Sequence, residues 1–98
     1  MPTIVDNKGV THDLPVMLHG NGLVSDLRPK GEEFTLGELQ KAVGGYIEIV
    51  SVPPWSDIIL IVDEEGRLKH KRCNEAASEM AGQYIVGDVV LMERKDIK

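Results

Sequence analysis

Between Phe34 and Val52 the chain carries a helix start, a helix stop and a strand in immediate succession. Any fold it adopts must therefore turn a helix straight onto a sheet. Thr35 and Glu38 have the spacing of a capping box, in which the hydroxyl accepts one free helix N–H and the carboxylate reaches back for another. Phe34 and Leu39 occupy the two positions of a hydrophobic staple around that cap. Leu36, Leu39 and Val43 follow at i, i+3 and i+7, which places them on one helical face. Gly44-Gly45 ends the helix, because glycine accepts the left-handed conformation of a C-terminal cap. The spacing predicts a helix over about 35–43. Tyr46–Val52 then places β-branched residues at every second position. Ile47, Ile49 and Ser51 face one side; Tyr46, Glu48, Val50 and Val52 face the other. Apolar residues on both faces predict a central strand.

Strand signals dominate the remainder. Thr3–Asp6 and Val10–Leu14 flank Asn7-Lys8-Gly9, a hairpin turn. Val16–Leu18 continues the second run past Pro15, which then belongs at an edge or bulge. Gly20-Asn21-Gly22 is a turn, and Leu23, Val24 and Leu27 form a further short strand before Arg28-Pro29-Lys30-Gly31. Pro53-Pro54 stops the strand that began at Tyr46. Ile58–Val62 is a continuous apolar run, which fits a buried strand. Glu64-Glu65-Gly66 turns the chain, and Arg67–His70 returns as a short strand. Asn74 is suited to N-cap a short helix over about 75–81, with Glu75 at the positive end of its dipole. Tyr84–Met92 reads as a last strand with Gly87-Asp88 as a bulge in its middle. The polar tail, residues 93–98, is expected to fray. This order, with most turns too short for parallel crossovers, predicts an α+β fold: one small domain over residues 1–98 with a mostly antiparallel sheet.

Composition excludes several classes. A chain of 98 residues holds one domain. Apolar residues form 42% and charged residues 28%, too apolar a mix for disorder. No apolar run nears the roughly 18–20 residues that span a bilayer, so no membrane partner is expected. The start lacks the basic-then-apolar order of a secretory signal. The single cysteine, Cys73, suits a reducing compartment, and a cytoplasmic setting follows. Eleven basic against sixteen acidic side chains give a net charge of −5, which opposes broad binding of nucleic-acid backbones.

Four segments occur in a recognisable order: Phe34-Thr-Leu-Gly-Glu-Leu-Gln-Lys-Ala-Val-Gly-Gly-Tyr-Ile-Glu, Val62-Asp-Glu-Glu-Gly-Arg-Leu-Lys, Asn74, and Ile85-Val-Gly-Asp-Val-Val. Together they resemble a domain-of-unknown-function family of small proteins found in phages, prophages and plasmids. The likeness runs over roughly residues 34–92, the family-like core, and leaves residues 1–33 as an N-terminal strand and hairpin segment. It implies a phage or mobile-element origin inside a bacterial host cell, and it carries over no catalytic residues. Where the family pattern has proline before Asn74 and arginine after it, this chain has Cys73 and Glu75.

Catalytic and metal chemistry find little support in the spacing. Cys73 has His70, Lys71 and Arg72 beside it. A catalytic cysteine needs a histidine oriented by a third group, and a sequence neighbour is rarely so placed. His12, His19, His70 and Cys73 are scattered without a CxxC or HxxxH pair, so neither a metal nor a cofactor is expected. Asp63-Glu64-Glu65 reads as a solvated hairpin tip and Asp88 as part of a bulge. Candidate contact residues are Trp55, in the stiff connection Val52–Asp57, and Tyr46 beside Gly45. Arg67, Lys69, Lys71 and Arg72 form a basic run suited to an anion. Asn74, from the family-like motif, completes the set.

These features predict a small non-enzymatic binding protein, an accessory or counter-defence factor that binds a host protein. A second class is a small-ligand binder, holding an anionic nucleotide on the basic run with Tyr46 or Trp55 stacked on its base. A hydrolase ranks third. The apolar surplus of Tyr84–Met92 suits a central strand or an edge strand paired with its copy, and a homodimer through this segment is the expectation carried forward.

Overall fold

Ile58–Val62 sets the architecture, because a strand without a polar face needs cover on both sides. A computed structural model describes residues 2–97; Met1 and Lys98, the last residue of the tail, lie outside the described residues. The elements are β1 (Thr3–Val5), β2 (Thr11–Asp13), β3 (Val16–Leu18), β4 (Val24–Asp26), α1 (Leu36–Val43), β5 (Ile47–Val52), β6 (Trp55–Asp63), α2 (Glu75–Ala81) and β7 (Val89–Glu93). Five strands form one antiparallel sheet in the order β4-β3-β7-β6-β5. The fold is α+β, with one helix on each face. On one face Met17, Ile59, Ile61, Val90 and Met92 pack with Phe34 and with Leu39 and Val43 of α1. On the other, Val16, Leu18, Val50, Leu60, Val62, Val89 and Leu91 pack with Ala77 and Ala81 of α2. Alternation along β6 and β7 thus supplies both cores from two strands.

Local signals place α1 as expected. The Glu38 N–H donates to Thr35 Oγ1 (3.2 Å) and the Thr35 N–H donates to the Glu38 carboxylate (3.1 Å), closing the capping box. Gly44 follows in the left-handed conformation at φ 85°. Leu36 is an exception to the expected face, being 58% exposed. Phe34, on the other side of the cap, is the buried residue at this end of the helix.

Several strand expectations need correction. β5 is an edge strand, not a central one; Val50 and Val52 are buried, whereas Ile49 on the opposite face is 47% exposed. Arg67–His70 forms consecutive turns, with the Lys69 N–H donating to Glu65 O and the Lys71 N–H to Gly66 O. Trp55 opens β6 and lies beside Val52 rather than in a free loop. The last strand starts only at Val89; Tyr84–Asp88 is a connection in which Ile85 and Val86 are buried and Gly87 takes φ 79°. β7 is flanked by β3 and β6, so it has no free edge and cannot pair with its copy in a homodimer. The tail is docked as far as Ile97: the Phe34 N–H donates to Asp96 O (2.7 Å), and Ile97 packs against the α1 core.

β1 and β2 form the expected hairpin, yet as a separate sheet, so Val16–Leu18 does not continue β2. His12 of β2 links the two sheets. Its Nε2 lies 2.8 Å from Asp6 Oδ2, and its Nδ1 lies 3.5 Å from Asp26 Oδ1 on β4. The Asp6 hydrogen bond, aided by Asp26, holds the imidazole pKa above its ordinary 6.5 against partial desolvation.

Leu39→Ala is expected to cost about 2–5 kcal/mol, as for deletion of a fully buried side chain. Thr35→Ala should cost about 1 kcal/mol through loss of the N-cap acceptor. Urea denaturation of both variants checks the pair. His12 has a raised folded-state pKa, so its contribution is complete below pH 6.5 and is lost as pH rises through the folded value. Relative to His12→Gln, the wild-type denaturation midpoint should therefore fall as pH increases from 6.5.

Candidate functional site

The basic run is folded back onto an acid that the sequence reading placed in solvent. Asp63 ends β6 with its side chain 1% exposed, and its Oδ2 accepts from Lys69 Nζ (2.7 Å) and Lys71 Nζ (2.9 Å). Its Oδ1 accepts the Glu65 N–H (2.9 Å). Burial pushes this carboxyl up, but the two ammonium groups and the N–H outweigh it and hold the pKa down to about 2. The same ammonium groups donate to carbonyls left free at the end of α1: Lys69 to Gly44 O (3.0 Å) and Lys71 to Val43 O (2.7 Å). Gly45 allows this approach, since a Cβ there would stand 2.5 Å from Lys69 Nζ. Arg67 is also engaged. It donates to Tyr84 O (3.1 Å), and its guanidinium carbon sits 5.1 Å from the Tyr84 ring centroid.

Of the expected contact residues, Asn74 is removed from the set because it is fully buried. Its Nδ2 donates to Leu18 O and Gly87 O (both 2.9 Å), and its Oδ1 accepts the Ala77 N–H (3.1 Å). It caps α2 as its sequence position suggested. Arg72 is exposed and lies beside Gly20. Lys41, Lys71 and Arg72 line a groove of about 470 Å³ that also touches His19, Gly20 and Asp88.

Tyr46 and Trp55 stand elsewhere, at the two ends of β5. They are 64% and 60% exposed. Six residue steps separate Tyr46 from Val52, the neighbour of Trp55, so the backbone positions at the two ends lie about 20 Å apart. Neither ring lines the groove with Arg72, although Tyr46 directly follows Gly45, the glycine that Lys69 approaches. Trp55 instead borders an apolar cavity of about 400 Å³ with Ile4, Leu14, Ile58, Met80 and Leu91.

A further cluster went unseen in the sequence. The register sets Leu18 opposite Val24 on one side and Val89 on the other. His19, the next residue, is thereby brought between Ser25 and Asp88. His19 Nδ1 lies 3.1 Å from Asp88 Oδ2, and His19 Nε2 lies 2.8 Å from Ser25 Oγ. The other Asp88 oxygen accepts the Gly20 N–H (3.0 Å). Burial raises the Asp88 pKa, but the Gly20 N–H and His19 outweigh it and leave the carboxyl below its usual value. Asp88 is 69 residues from His19, a separation that only strand pairing closes. Among the described residues no group of three or more His, Cys, Asp or Glu side chains is arranged to hold a metal ion. Among the described residues no helix is long and apolar enough to cross a membrane.

The family described as Domain of unknown function (DUF3846) matches residues 16–98, and the chain belongs to it. The match begins at β3, upstream of the core recognised from the motifs, and leaves the β1–β2 hairpin outside. No curated protein and no solved structure matches the chain.

Asp63 yields a test of the ion cluster. Its depressed pKa means that its contribution is complete above the ordinary 3.8 and is lost as pH falls toward about 2. The wild-type denaturation midpoint should drop over that interval more steeply than that of Asp63→Asn. A parallel decline in the two proteins would contradict the cluster.

Proposed function

Taking that family membership as the premise, we propose that the chain is a protein-binding module that captures an extended segment along the open edge of β5. The observation that carries this reading is the open outer edge of β5, with Ile49 exposed on one face of the strand and Tyr46, just before it, exposed on the other. An edge strand offers backbone N–H and C=O groups at a fixed repeat, and side chains at alternate places select the partner. Aromatic residues at both ends supply anchors of large contact area. Glu48 is the charged side chain of β5, Asp57 lies within β6, and Glu64 directly follows that strand. The complementary partner is a segment that alternates apolar and basic residues.

The resemblance to phage, prophage and plasmid proteins makes a host protein the bearer of that segment. An accessory or counter-defence role in the host cytoplasm follows from the same resemblance. Retention of an anionic nucleotide draws less support. Lys69 and Lys71 are already engaged by Asp63, and neither Tyr46 nor Trp55 lines the groove that holds Arg72.

Titration of the isotope-labelled protein with a capped heptapeptide of alternating valine and lysine tests the proposal by NMR. The expected result is saturable shifts of the Ile47–Val52 amides, absent with a peptide carrying proline at its centre and lost in Ile49→Lys. Shifts confined to another surface, or none, would overturn it. A solution mass of twice 10.8 kDa for the free protein, reduced to one chain by Ile49→Lys, would give the edge to a second copy instead.

A further inference from the structure

The row Ser25, His19 and Asp88 lies at the far side of the sheet from β5 and is independent of the binding reading. An imidazole between a hydroxyl and a carboxylate has a defined proton arrangement. The carboxylate can only accept, so Nδ1 carries the proton facing Asp88, and Nε2 is left as the acceptor for the Ser25 hydroxyl. Nucleophile, base and orienting acid then stand in the order that activates a serine, with both links at hydrogen-bond distance: 2.8 Å and 3.1 Å. Ser25 is exposed, His19 is partly exposed, and the Asp88 carboxylate is pinned by the Gly20 N–H. Its backbone is also fixed. Asn74 holds the carbonyls of Leu18 and Gly87, the residues directly before His19 and Asp88.

We propose that Ser25 and His19 are catalytic residues of an esterase site, with Asp88 as a positioning residue, acting on small, unhindered esters. Ser25 is exposed and does not line the groove of about 470 Å³ beside His19, so its hydroxyl meets the ester from open solvent and no charge on the substrate is required. In the first step the Ser25 hydroxyl gives its proton to His19 Nε2 while Oγ forms a bond to the ester carbonyl carbon. The tetrahedral adduct collapses by breaking the bond to the alcohol oxygen, which takes the proton from Nε2 and leaves as the alcohol. Water then repeats the sequence on the acyl-serine: its proton passes to Nε2 and its oxygen to the carbonyl carbon. Breakage of the Oγ–acyl bond returns the proton to Ser25 and releases the acid. Asp88 keeps the imidazole in the competent tautomer throughout.

Two probes test this with the intact chain: a biotinylated fluorophosphonate read by peptide mass spectrometry, and the para-nitrophenyl monoester of succinate beside neutral para-nitrophenyl acetate. The fluorophosphonate should modify Ser25 and leave Ser51 and Ser56 unlabelled. Both esters should be turned over, the charged one with no advantage. His19→Gln should lower turnover by about 10²–10⁴-fold. Ser25→Ala, which removes only an exposed hydroxyl, should abolish labelling and reduce turnover to the level of free imidazole while leaving the denaturation midpoint unchanged. Asp88→Asn should lower kcat with KM kept, a split that loss of packing would not give. Equal labelling of Ser25 and Ser56, no labelling, or turnover retained in Ser25→Ala would overturn the proposal.

Discussion

The side chain of Asn74 is the constraint on which most of this structure depends. A fully buried amide must find partners for its N–H and C=O groups, because each one left bare costs about 1–3 kcal/mol. Here the oxygen takes an N–H from the first turn of α2, and the nitrogen joins the end of β3 to the connection leading into β7. One residue therefore fixes where a helix starts and how two strands approach each other. Replacement by a residue of similar size without these groups would take one donor away from each of the carbonyls of Leu18 and Gly87. The fold is thus pinned at a point where three elements meet, and Asp88 and His19 inherit their positions from that pin.

Asp63 performs the matching task at the other helix with charge instead of an amide. Its two lysines would be expensive to hold near a buried site without a counter-ion, and Asp63 would be expensive to bury without them. Together they leave a cluster with one net positive charge, whose ammonium groups also donate to the last carbonyls of α1. The same segment that reads as a free basic patch is for this reason mostly internal wiring. Arg72, at its end, takes no part in this cluster and stays exposed beside Gly20. What positive surface remains is gathered around one groove rather than spread along the turn.

Legibility from sequence follows the range of the interactions. The capping box at Thr35, the Asn74 cap and the β1–β2 hairpin are closed by bonds within a few residues, and their spacing announces them. Edge and centre are a different matter. β5 and β7 both carry apolar residues on both faces, and only the order of strands decides that β7 is covered twice while Ile49 of β5 stays exposed. The lysine run misleads for a similar reason, since its partner Asp63 looks like one more acid of a turn. His19, Ser25 and Asp88 share no local pattern at all. The one trace was Asp88 standing after a glycine inside an apolar stretch, the signature of a re-aimed side chain, which without His19 opposite it had a bulge as a sufficient explanation.

Edges explain how the two proposed sites divide the molecule. A five-stranded sheet has two, and both must be managed. At one, β4 is only three residues long and His12 of the added hairpin reaches Asp26 on it. That edge is short, charged and attended by a second small sheet, which leaves Ser25 accessible as a side chain without offering a long backbone template. At the other, β5 runs for six residues with a single acidic side chain and no covering element. The family match starts at Val16, so the hairpin that guards the β4 side lies outside the shared unit, whereas the bare β5 edge lies within it. The guarded edge and the bare one thus lie on opposite sides of the sheet, and the bare one is where the proposed partner would add its strand.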